Sequence, residues 1–88
     1  MKLMNFFSSA PGFTSTYFLN EDNYHNSQTL EQLNLRAKTD ATIIAIVRGN
    51  KTIFNSSAKD TIESNDTLVI TGTHKSVDLV FSLLDSSE

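Results

Sequence analysis

The residues best placed to do chemistry lie in one stretch, Ala41-Thr42-Ile43-Ile44-Ala45-Ile46-Val47-Arg48. In a strand, successive side chains point to opposite faces. One face then carries Ile43, Ala45 and Val47, and the other carries Ile44, Ile46 and Arg48. Both are apolar, so both are expected to be covered. The guanidinium at the end of the second face needs a partner, because an unpaired charge against apolar surface is costly. Two readings follow. In the functional one a planar heterocycle lies on Ile44 and Ile46 while Arg48 forks onto a phosphate, and Asn55, just after the next strand, adds an amide contact. In the structural one Arg48 pairs with Asp66 or Asp60 and caps the sheet edge.

Other reactive side chains make no such arrangement. His25, with Glu21 and Asp22 upstream, matches no metal-ligand spacing, so an ordinary polar loop and no metal are expected. His74 reads as a solvated or capping residue at a helix start. No serine sits in a Gly-x-Ser-x-Gly elbow or beside a positioned base. The three glycines stand alone, so there is no glycine-rich phosphate loop, and there is no cysteine for thiolate chemistry. Nucleophile, base and oxyanion donors cannot be assembled, so no enzyme is expected.

The elements that position Arg48 can be read from pattern. The run at 41–48 is β-branched and closed by Gly49-Asn50, a two-residue hairpin signal that returns the chain into Lys51-Thr52-Ile53-Phe54. Thr14–Leu19 reads as a first strand and 20–28 as a polar loop. Thr29-Leu30-Glu31-Gln32 fits a capping box, opening a short helix with Leu30, Leu33 and Leu35 inward and Arg36 and Lys38 suited to its C-terminal dipole. The polar connection 55–65 holds one apolar anchor, Ile62. Thr67–Thr71 is the last strand, closed by Gly72. Val77, Val80, Phe81 and Leu84 sit at i, i+3, i+4 and i+7 and define a second helix over about 75–84, whose apolar face Leu79 and Leu83 widen. The order β-α-β-β-β-α is an α+β fold, a small sheet with two helices. Residues 1–13, with Leu3, Met4, Phe6 and Phe7 before a Pro-Gly turn, form an N-terminal extension or linker, and 14–88 form the domain.

At 88 residues the chain is one domain, and it buries only about 60–65% of its unfolded surface. Oligomerisation would add to that. The net charge of −3, with seven scattered Lys and Arg, argues against nucleic-acid binding and a polybasic membrane arm. No apolar run approaches the roughly 20 residues of a membrane span, and the start is too short for a secretory signal.

Three stretches in register resemble a known family. They are Thr29-Leu30-Glu31-Gln32-Leu33-Asn34-Leu35-Arg36, Ala41 to Gly49, and Asn65-Asp66-Thr67-Leu68-Val69-Ile70-Thr71-Gly72. Together they are similar to the TrkA-C domain, the C-terminal half of regulator-of-potassium-conductance (RCK) modules, in versions that go with Kef-type cation:proton antiporters. The resemblance implies a cytoplasmic, homodimeric regulatory domain at the inner face of the membrane. Its partner would be a potassium channel, transporter or antiporter, in the same chain or a separate subunit. Some members bind cyclic di-AMP across the dimer interface. Carried over, that site points to Ile44, Ile46, Arg48 and Asn55, with no other cofactor. The alternative is a dimerisation module that binds nothing. Three positions depart from the family pattern: Asp40 and Asn65 replace glycines, and Ser56 replaces the proline after Asn55.

Overall fold

The computed structural model describes residues 12–54 and 56–86. The apolar N-terminal residues and Asn55 lie outside them. The elements are β1 (Phe13–Phe18), α1 (Leu30–Leu33), α2 (Leu35–Thr39), β2 (Thr42–Arg48), β3 (Lys51–Phe54), β4 (Thr67–Gly72) and α3 (His74–Asp85). The strands form one antiparallel sheet in the order β1-β4-β2-β3. β1 begins at Phe13, opposite Gly72, one residue before the expected domain boundary.

The expected first helix is two short ones. Thr29 and Gln32 do form a capping box: the Gln32 amide donates to Thr29 Oγ1 at 3.0 Å and the Thr29 amide to Gln32 Oε1 at 2.8 Å. The helix then breaks at Asn34, whose φ of 50° is left-handed and whose amide closes the turn onto Leu30 O. Asn tolerates this conformation better than most residues, because its short amide bonds locally. The break turns the chain so that both Leu33 and Leu35 enter the core. α2 ends at Asp40, with φ 72°, and the turn before Asp66 passes through Asn65, with φ 69°. These are the two positions where the family pattern has glycine, and both keep the backbone a glycine would adopt.

The core lies between one face of the sheet and the helices. Ile46, Leu68 and Ile70 from β2 and β4 meet Val77, Val80 and Leu84 of α3, together with Leu19 and the loop anchor Ile62. The helix stripe read from spacing is thus the stripe that is buried, while Leu79 is 43% exposed. β1 adds Tyr17, edge-on to Phe81 at 5.3 Å, and Phe13, stacked on His74 at 3.9 Å.

The expected faces of β2 need correction. Ile43 pairs with Ile70 and Ala45 with Val69, so Ile44 is an extra residue, a β-bulge. A bulge resets the alternation of side chains. Ile43 and Ile46 therefore both serve the core, whereas Ile44 is 45% exposed. Nor do the described residues cover both sheet faces. The face away from α3 leaves Phe18 54% and Phe54 66% exposed.

Candidate functional site

Arg48 lies at the end of β2, where the hairpin turns at Gly49, and it is not free. Its Nε donates to Asp66 Oδ1 at 2.9 Å. Its Nη2 donates to Asp66 Oδ2 at 2.7 Å and to the Thr61 carbonyl at 3.0 Å. Asp66 is fully buried just before β4, and its Oδ2 also accepts the Glu63 amide at 2.8 Å. The hydrogen bonds to Asp66 push the Arg48 pKa further above its usual range. This is the fork expected of a guanidinium on a carboxylate. It corresponds to the structural reading, with Asp66 rather than Asp60 as partner.

Of the four residues singled out in the sequence, the three that the structure describes do not converge on one surface. Ile46 is fully buried, Ile44 is carried outward by the bulge, and Arg48 is joined to Asp66. Asn55 lies outside the described residues.

A cleft of about 410 Å³ opens instead between the α1–α2 corner, the start of β2 and the loop after β3. That is within the roughly 300–1,000 Å³ of small-molecule sites. Leu30, Leu35, Ala41 and Ile43 line it with apolar surface, and Arg36, Glu31, Asn34, Ser56 and Ser57 supply polar groups. Local bonding explains why these segments meet. The first amides of a helix have no partner within it. Here the Leu30 amide donates to Asp60 O at 2.9 Å and the Glu31 amide to Ala58 O at 3.0 Å, which ties the loop to α1. Asp60 turns the loop by accepting the Ser57 amide at 2.8 Å. On the other side Thr39 Oγ1 accepts the Ala41 amide at 3.1 Å and holds the α2–β2 junction.

Arg36 was not singled out by spacing, where it reads as a dipole-satisfying residue. Among the described residues its guanidinium has no hydrogen bond or ion pair, and Glu31 is likewise without an ion pair. The available signal was the helix break next to it, which turns Leu35 in and leaves Arg36 out.

His74 is exposed and stacks on Phe13, and His25 is accounted for by packing. His25 is buried, and its Nε2 lies 3.0 Å from Leu83 O and 2.9 Å from Ser86 O, with Nδ1 3.0 Å from Gln28 Oε1. A carbonyl only accepts, so Nε2 carries the proton and caps the end of α3. Asn23 adds Nδ2 to Leu84 O at 3.0 Å. Among the described residues no group of three or more His, Cys, Asp or Glu side chains could hold a metal. Nor is any described helix long and apolar enough to cross a membrane.

Comparison with known proteins agrees with this architecture. The TrkA-C domain family matches residues 19–85. The K(+)/H(+) antiporter subunit KhtT of Bacillus subtilis (strain 168) is 43% identical over 49 residues, which cover 54% of this chain and 30% of that subunit. The chain thus spans less than a third of that relative. Among solved structures, the RCK_C domain dimer of S. agalactiae BusR in complex with c-di-AMP aligns with a TM-score of 0.74 at 24% identity, covering 82% of this chain and 95% of that one. The same protein is also known in complex with its busAB-promotor DNA. The RCK C domain of the potassium transport protein KtrA, in complex with cyclic diadenosine monophosphate, aligns with a TM-score of 0.74 at 21% identity, covering 92% and 94%. At these identities the likeness is one of fold. Domains of this family are regulatory rather than catalytic, and the similar proteins include an antiporter subunit and a potassium transport protein. With a family match over residues 19–85 and a four-stranded sheet backed by helices, the chain belongs to the TrkA-C family.

Proposed function

We propose that this domain is the cytoplasmic ligand sensor of a potassium or monovalent cation:proton antiporter, working as a homodimer at the inner face of the membrane. The antiporter itself lies in the same chain or in a separate subunit. The regulatory unit runs from β1 onward, with the preceding residues an extension. Cyclic di-AMP is the first ligand to test. The observation that carries the reading is the cleft beside α1 and α2, apolar below and polar at the rim, in a chain related to an antiporter subunit. Such a cleft suits a ring system that bears a phosphate. Of the sequence candidates, Asn55 precedes Ser56, which lines the cleft. A ligand that prefers one arrangement of the dimer shifts the transporter by its differential affinity. Nucleic acid is not a partner in this reading, since the net charge of −3 leaves no basic excess to hold phosphate backbones.

A second reading is an assembly module without a ligand. The commitment of Arg48 to Asp66 and the exposed Phe18, Ile44 and Phe54 favour it. Calorimetry of the purified chain against cyclic di-AMP, with the mass in solution measured alongside, separates the two. Saturable binding at one ligand per dimer supports the sensor. A dimer that gives no heat supports the assembly module, and a monomer counts against both.

A further inference from the structure

The structure assigns the anion-holding role in the cleft to Arg36 rather than to Arg48. This rests on the reading of the domain as a sensor of a small phosphate-bearing ligand, and names the residue that recognises the phosphate.

Arg48 has Nε and Nη2 engaged by Asp66 and Thr61, and removing it would strand the buried Asp66 carboxylate. Arg36 differs on each point. It lies on the rim of the cleft, it is exposed, and among the described residues its guanidinium has no partner to give up. Leu30, Leu35 and Ile43 line the same cleft. A nucleotide base can rest on that apolar surface while the guanidinium forks onto the phosphate, the bidentate geometry for which Arg is suited. Glu31 shares the rim and is not ion-paired with Arg36. It offsets the positive field, so the cleft has no charge to spare. Binding of an anion then depends on Arg36 and is opposed by Glu31.

The two charges predict effects of opposite sign, which a purely structural role would not produce. The test is calorimetry of the intact 88-residue chain with cyclic di-AMP and, separately, AMP as probes. Arg36→Ala is expected to weaken binding roughly 10- to 100-fold, the range for losing a hydrogen bond to a charged group. Arg36→Lys recovers part of the loss, since it restores the charge but not the fork. Glu31→Gln tightens binding a few-fold. Both sites are exposed, so circular dichroism should show unchanged folding. Arg36→Ala binding as tightly as the parent, or Glu31→Gln binding more weakly, overturns the assignment and leaves the sensor reading standing. Failure of the parent chain to bind either nucleotide overturns both.

Discussion

Arg48 and Asp66 are joined by two hydrogen bonds of 2.9 and 2.7 Å, yet the two ends of the pair differ in exposure: the Arg48 side chain is 40% exposed and that of Asp66 is fully buried. Removing either partner therefore should not cost the same. Arg48→Ala leaves a buried carboxylate with only the Glu63 amide, and is expected to destabilise the domain by about 3 kcal/mol. Asp66→Asn keeps an acceptor for that amide and should cost about 1–2 kcal/mol. Urea denaturation of the two variants checks the order. A loss below about 1 kcal/mol for Arg48→Ala would mean that the pair behaves as a surface salt bridge.

His25 joins the loop before α1 to the last turn of α3. Replacing it with Ala leaves the Leu83 and Ser86 carbonyls without the ring N–H, and should cost about 1–3 kcal/mol. The effect should be local. Hydrogen exchange would accelerate in the last turn of α3 while the β2 and β4 amides stay protected. Equal acceleration everywhere would contradict a capping role.

Tyr17 has its pKa pushed up to about 12, by burial first and then by its hydrogen bond to the Asp85 carboxylate. The folded state thus prefers the neutral phenol. The stability this contributes is fully present below the ordinary tyrosine value near 10, and it is lost as pH rises through about 12. Ultraviolet titration should show a phenolate step at about pH 12 that Tyr17→Phe removes. Its persistence in that variant would refute the assignment.

Gly72 closes β4 where α3 begins, and a Cβ there would clash with Ser76 Oγ and lie 3.3 Å from the Ala41 Cα. Ser76 is itself held, donating Oγ to Thr73 O at 3.0 Å. Gly72→Ala should therefore cost roughly 1–3 kcal/mol, in the range of overpacking, measured as a lower denaturation midpoint. Gly49 has open space around it and a φ of 60°. Gly49→Asn should accordingly be milder than Gly49→Val, since Asn accepts positive φ and a β-branched residue does not.

Much of what depends on neighbours in the chain was legible from the residues alone, the helix break at Asn34 excepted. The hairpin at Gly49-Asn50, the capping box of Thr29 and Gln32, and the stripe of Val77, Val80 and Leu84 rest on spacings within a turn or two. The order of the elements followed from such local patterns, and the resemblance of residues 29–84 added the family. What depends on the other strands was decided only in three dimensions. Whether Ile44 faces in or out turns on β4, which pairs with Ile43 and Ala45 and skips the residue between them. The choice of Asp66 over Asp60 for Arg48 was settled 18 residues downstream, where the chain buries one carboxylate and leaves the other to turn a loop. The cleft brings together residues 30–36, 41–43 and 56–58, and no local pattern announces it. Short-range periodicity records which side of an element is apolar. Packing decides what that side meets.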